Sequence, residues 1–380
     1  LSTNTSGYDN IAIGESSLGK NISGFHNVAI GENALKENTS GYRNIGIGEQ
    51  ALTSNTTGDH NLAIGDFTLS QNTADDNFAI GYKALEENTT GTINQGMGIQ
   101  SLQENTTGNY NLGLGLWSLK LNTTGDSNTA IGNFALEANT TGAHNTAVGL
   151  ESLEKNTTGD FNNGLGFRTL YSNTTGHSNS AGGIQALYSN TTGSMNTGFG
   201  VESGYSNIAG SSNVFLGYRA GYNETGSNKL YIANSSSQNL IKGDFSTGYM
   251  SFGRAGLSDG GIGIQGDLGI QFMDDDASHY VALVAPSSVS SSVTWTLPGA
   301  DGTNGQVLTT NGSGALSWAS ISAGSDTTNS SLSLDNGTLI LTDSVGGKVS
   351  VDISGINIDT NNFVESTSLS GNVLTFNMKS

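Results

Sequence analysis

Three observations predict an all-β fold, a parallel β-solenoid or β-roll wound in 17-residue coils. The first is a tetrad of the type Asn-Thr-Thr-Gly. Its Asn stands at 4, 21, 38, 55, 72, 88, 105, 122, 139, 156, 173, 190, 207 and 223, giving eleven intervals of 17 residues and two of 16. The second is an inner Asn, five or six residues further on: Asn10, Asn27, Asn44, Asn61, Asn77, Asn94, Asn111, Asn128, Asn145, Asn162, Asn179, Asn196, Asn213 and, at the end of the array, Asn228. The third is composition. Of 380 residues 55 are Gly and only 2 Pro, and 12% are charged. Collagen needs Gly at every third position with abundant Pro, and disorder usually comes with more charge and fewer β-formers. Seventeen residues are too few and too Gly-rich for a helical-hairpin repeat.

Positions are counted from the inner Asn, taken as 0, and coils are numbered from the one that begins at Asn10. Coils stacked at roughly 4.8 Å place identical side chains above one another. A buried Asn at a bend then forms a ladder with the Asn amides above and below, which explains position 0. Gly at position 4 (Gly14, Gly31, Gly48, on to Gly217) supplies a positive φ or a close backbone approach at the next corner. Position 3 is large in nearly every coil (Ile13, Ile30, Ile47, Ile64, Ile80, Met97), broken only by Gly182. Position 2 is Ala or Gly, with Phe215 the exception, so the two faces of one strand carry large and tiny residues by turns. Leu18, Leu35, Leu52 and their successors to Leu187 form a second aliphatic row at position 8.

A column with so few aliphatics per coil buries little apolar area for the backbone it orders. The tiny-residue face offers close approach to neighbouring columns, which predicts a homotrimeric fibre. The solenoid head covers 1–228. A β-rich collar follows at 229–254. A module at 255–325 carries "LGIQFM", "HYVALVA" and "SVTWTL", with turn signals at Asp301-Gly302 and Asn311-Gly312. From 326 to 380 a second array begins, its opening at Asp326 echoed 33 residues later at Asp359. The echo stops at Ser380 without a matching end, which predicts a longer parent chain.

The string Asn27 to Leu35, "NVAIGENAL", resembles the head repeats of trimeric autotransporter adhesins. That resemblance spans about 4–228 and implies a left-handed trimeric β-roll, with aliphatics inside each roll and small residues towards the partners. The period departs from it, since those heads commonly use a shorter coil without the interposed turn. Separately, "VTWTLPGADGTNGQVLTTNGSGALSW" at 293–318 is similar to a segment of phage tail fibres. Together they imply an extracellular attachment fibre on a bacterial surface or virion, whose partners are its own copies and a cell-surface glycan or protein receptor.

Other chemistries are weighed in turn. Net charge is −19 without a basic run, which argues against nucleic acid. No stretch of 18 apolar residues occurs, so no helical membrane insertion is expected of this segment. Zero Cys removes disulfides and zinc-thiolate sites. No cofactor, metal set or catalytic residue is predicted. Five scattered His lack ligand spacing, and Asp274-Asp275-Asp276 reads as a solvated tip ahead of a Ca²⁺ loop. The Asn-x-Ser/Thr tripeptides match glycosylation acceptors but read as turn chemistry. A polysaccharide-cleaving tailspike needs paired acids in a cleft, and the acid row Glu15, Glu32, Glu49, Asp66 passes to Tyr82 and Ile99. Ice binding would need both Thr of each Thr-Thr pair on one plane. A filament without a receptor is the main alternative to attachment. Variable positions before the inner Asn and after the Gly are expected at exposed corners, where Tyr8, Phe25, Tyr42, Trp117 and Phe167 are candidate surface contacts.

Overall fold

Thirteen three-residue strands, β1 (Ile11–Ile13) to β13 (Val214–Leu216), begin one residue after each inner Asn and form a single parallel sheet. The computed structural model describes residues 3–237, 239–252 and 295–320, together with the backbone of seven strands between 270 and 378. No helix occurs among the described residues. The chain divides into two compact units, 1–263 and 264–380.

Register follows the sequence period. Ile11 pairs with Val28, Ala12 with Ala29 and Ile13 with Ile30, and the same positions meet from coil to coil up to β13. The 16-residue coil keeps this register, with Leu62 still opposite Phe78, so its deletion is absorbed outside the strand. Inter-coil bonds continue through the turns: Leu35 N–H donates to the Ala51 carbonyl at 3.0 Å, and Asn33 N–H to the Glu15 carbonyl at 2.8 Å.

The strand alternation has the sense opposite to that implied by the adhesin resemblance. Ala29, Ala63, Ala79, Ala130 and Ala147 at position 2 are fully buried inside the coil. There they pack with the Leu row at position 8, also at zero exposure from Leu18 to Leu187. The large residues at position 3 point outward, and Ile13 is 58% exposed. The reason is volume: a 17-residue coil encloses one Leu layer, and the strand beside it has room for nothing larger than Ala. The expected approach of copies through the Ala/Gly face is thereby excluded.

The interior closes by an exchange of sizes. Coils 12 and 13 have Gly204 and Gly221 at the Leu position, and a Cβ on either would overlap the Phe215 ring. Phe215, the one large residue at position 2, fills the volume that the two missing Leu side chains leave, and Tyr231 packs over it at 6.0 Å. Strand β14 (Lys229–Ala233) adds in parallel to β13, and β15 (Asn239–Asp244) and β16 (Tyr249–Phe252) follow antiparallel, which ends the coil geometry.

The second unit contains antiparallel pairs. β17 (Ile270–Met273) pairs with β18 (Tyr280–Leu283), and β19 (Gln306–Thr310) with β20 (Leu316–Ser320) across the Asn311-Gly312 turn. β21 (Asn329–Asp335), β22 (Thr338–Asp343) and β23 (Lys348–Asp352) make three strands, and β24 (Val364–Ser370) pairs with β25 (Val373–Met378). The Asp triplet at 274–276 and the echoed Asp326 and Asp359 lie outside the described residues.

Candidate interaction surfaces

Two Asn ladders fix the corners from which the outer rows project. In the predicted ladder at position 0, each Oδ1 accepts the backbone N–H of the next Asn, as from Asn44 to Asn27 at 2.9 Å and from Asn145 to Asn128 at 3.0 Å. Each Nδ2 from Asn10 to Asn213 donates to a carbonyl in its own coil's last turn, as Asn128 to Gly142 at 2.8 Å, with Ala74 in place of Gly for Asn61. Asn27 to Asn213 are buried, and Asn10 at the open end is half-buried.

The tetrad Asn, read from sequence as a turn residue, makes the side-chain-to-side-chain ladder. Asn156 Nδ2 donates to Asn139 Oδ1 at 2.8 Å, and Asn156 Oδ1 accepts from Asn173 at 2.7 Å. Its signal was present in the strict recurrence of the same Asn. These side chains are fully buried from Asn21 to Asn207 with their amide nitrogens already donated, so these tripeptides are not glycosylation acceptors in the folded chain. The ladder is interrupted before the shortened coil, where Asn55 Oδ1 has no partner, and it stops at Asn207, whose Oδ1 is likewise unpartnered. The first Thr of each pair from Thr89 to Thr191 is also occupied: Thr106 Oγ1 donates to the Thr123 carbonyl at 3.0 Å.

The outward strand face carries an apolar band. In coils 1–5 it consists of position 1 (Ile11, Val28, Ile45, Leu62, Phe78) and position 3. Position 5 there is Glu15, Glu32, Glu49 and Asp66, all exposed, until Tyr82. In coils 9–13 position 1 turns mostly polar (Thr146, Asn163, Ser180, Thr197), and position 5 becomes Leu150, Phe167, Ile184, Val201 and Tyr218. The band therefore shifts by two residues along the chain, past the Gly corner at the strand's end. Ile99 at 51% and Leu165 at 46% exposure illustrate how open it is.

The five candidate contacts do not form one site. Tyr8, Phe25 and Tyr42 stack face to face at 4.9 Å in one row, so Phe25 has no free face; at the ends Tyr42 also meets His60 at 5.1 Å, and Tyr8 is 53% exposed. Trp117 lies elsewhere, edge-on to Phe134, its indole N–H donated to Gln100 at 2.8 Å and its face covered by Lys120 at 4.2 Å. Phe167 belongs to the apolar band, with the Arg168 guanidinium 5.0 Å from its ring.

A second aromatic ladder, missed by reading single coils, runs along position 9. Tyr171, Tyr188, Tyr205 and Tyr222 stack at 5.0–5.1 Å within 8° of parallel. Its signal was the Tyr recurring at 17 residues. Row 6 runs beside it: Arg168, ion-paired with Glu151, lies 5.5 Å from the Tyr171 ring, and Arg219, ion-paired with Glu202, lies 5.3 Å from Tyr222. Glu137 and Glu154 precede the tyrosines in row 9. Burial raises both carboxyls above their ordinary range, with Glu151 and Glu137 adding to the effect at Glu154. Burial also raises the Tyr171 phenol, helped by the Glu154 carboxylate bonded to it.

Among the described residues no set of three or more His, Cys, Asp or Glu side chains is placed to hold a metal. No helix there is long and apolar enough to cross a membrane. Compared with protein-family models, with curated proteins and with solved structures, the chain matches none. The fold and the rows define a β-solenoid repeat protein.

Proposed function

We propose that the chain is part of a non-enzymatic homotrimeric fibre that attaches to a cell-surface glycan or protein receptor, outside a bacterial cell or on a virion. The observation that carries this reading is the apolar band. It runs through all thirteen coils, from Ile13 to Leu216, with no covering segment among the described residues. Exposed apolar surface of that continuity is characteristic of an interface. A rod of the same rise is its natural complement, since coil can then meet coil along the whole length. Parallel copies set apolar rows against apolar rows and leave Glu15 to Asp66 at the rim. Antiparallel copies would press those carboxylates against Leu150, Ile184 and Val201, at a desolvation cost. The resemblances in the Asn-x-Ala-Ile-Gly strings and in residues 293–318 support the same reading.

Attachment would use the outer rows, which vary from coil to coil, repeated on each copy so that weak contacts add by avidity. Binding of the purified fibre to whole cells and to a glycan array tests this, alongside an assay for released reducing sugar. Expected are multivalent binding, its loss when copies are separated, and no sugar release. Sugar release would overturn the non-enzymatic reading and direct attention to Glu137 and Glu154. A receptor-free filament is the second reading, favoured by the self-stacking of Phe25 and Tyr42. It gains if no cell or glycan is bound.

A further inference from the structure

We infer that the tyrosine ladder of coils 10–13 is a binding track for an extended, uncharged polysaccharide laid along the rod, one sugar to a coil. The inference rests on the attachment reading and names the ligand class and the face.

Three observations converge on it. First, among the described residues the hydroxyls of Tyr188, Tyr205 and Tyr222 have no hydrogen-bond partner, whereas Tyr171 is engaged with Glu154. The rings are half-buried and lock one another by stacking, so the phenol edges are held in line at 5.0–5.1 Å steps. An extended pyranose chain with equatorial linkages advances by about the same length per sugar. Successive sugars of such a chain are turned over, so one edge offers O3 from one sugar and O6 from the next, and a hydroxyl of either kind falls opposite a phenol at every coil. Ordering costs are low, because stacked Tyr rings lose little freedom on binding.

Second, a hollow lies at each end of the ladder. One, of about 260 Å³, is lined by Phe134, Glu137, Glu151, Glu154, Arg168 and Tyr171. The other, of about 220 Å³, is lined by Tyr222, Glu224, Tyr231, Asn239 and Lys242. Each combines aromatic edges with a carboxylate and a cation, groups that bond sugar hydroxyls in both directions. A linear ligand can thus enter a hollow, run past the phenols and leave through the second. Third, charge selects the ligand. The chain carries a net −19 and the first hollow holds three carboxylates against one cation, so a polyanionic glycan is repelled and an uncharged one is not.

The test uses the whole chain and calorimetric titration with cellopentaose, chitopentaose and alginate. The informative variant is Tyr188→Phe/Tyr205→Phe/Tyr222→Phe, which removes three hydroxyls and keeps every ring in its stack. One of the two neutral pentasaccharides is expected to bind and alginate to bind at least tenfold more weakly. The triple variant should lose at least about tenfold in affinity with an unchanged melting temperature. Unchanged affinity in that variant, stronger binding of alginate, or no binding of either neutral probe overturns the track. Cell attachment measured on the same triple variant separates the two proposals: attachment that persists while pentasaccharide binding is unaffected or absent sinks the track and leaves the fibre reading standing.

Discussion

Coils 1–4 and coils 10–13 share an interior design but present different outer rows. In both regions position 0 is Asn, position 2 is tiny save for Phe215 in coil 13, and position 4 is Gly, and coils 1–4, 10 and 11 all carry Leu at position 8. Outside, the first four coils show an acid row beside a Tyr8–Phe25–Tyr42 stack, and the last four show Phe167, Ile184, Val201 and Tyr218 beside a tyrosine ladder. The interior is dictated by what must lie over itself every coil. The exterior is free of that demand, and function resides there.

If that division is right, one glycine substitution should cost the same in either region. Gly31 and Gly200 both hold φ at +131°, and a Cβ on either would press on the next coil's Gly carbonyl. Gly31→Ala and Gly200→Ala are each expected to lose about 3 kcal/mol from backbone strain and overlap, read by denaturant melts. A large difference between them would mean that the interiors are not equivalent.

The Asn ladders sharpen the comparison. Asn156→Ala strands partners on both sides and should cost about 1–3 kcal/mol. Asn55→Ala should cost less, because Asn55 Oδ1 already lacks a partner at the shortened coil. By the same logic Asn128→Ala should exceed Ser127→Ala, since Ser127 contributes only its backbone N–H to the Asn109 carbonyl. Equal melting curves within either pair would contradict the ladder account.

The smallest effect concerns pH, and its sign differs between the coils and the collar. Burial raises the Glu137 and Glu154 carboxyls, so the folded chain binds those protons more tightly than the unfolded chain does. Their ionised forms weaken the fold near neutral pH, and that penalty disappears as pH falls through the carboxylate range. Glu137→Gln/Glu154→Gln should therefore raise the melting temperature slightly at pH 7 and leave it unchanged at pH 3. Asp244 is shifted the other way, held low by Lys229 first and then by Ser246. Its contribution is present at neutral pH and is lost as pH falls through that lowered value. An Asp244→Asn variant should thus be less stable than the parent at pH 7 and converge with it in strong acid.

Much of the interior was legible because stacking makes period visible: Asn128, Gly132 and Leu136 each sit where their neighbours 17 residues away predict. The sense of the strand was not legible. Alternation alone does not say which face is inside, and only the volume around Leu35 settles that Ala29 is buried and Ile30 is not. Nor was the conformation of Leu35 legible. It adopts φ +50°, as its row does throughout, a region that sequence reading reserves for Gly, Asn and Asp. Its N–H is fixed by the Ala51 carbonyl and its side chain by the core, and burial offsets the strain. The outer sites were hardest to read. Tyr188 looks ordinary within its own coil, and only its neighbours above and below make it part of a ladder.

Light scattering of the purified chain beside a Leu165→Glu/Phe167→Glu variant, with circular dichroism on both, tests the central claim most directly. Leu165 and Phe167 lie on the outward band and contribute nothing to the coil interior. The account predicts about three chain masses for the parent, one for the variant, and the same β spectrum for each. A parent that stays a folded monomer at micromolar concentration would contradict it.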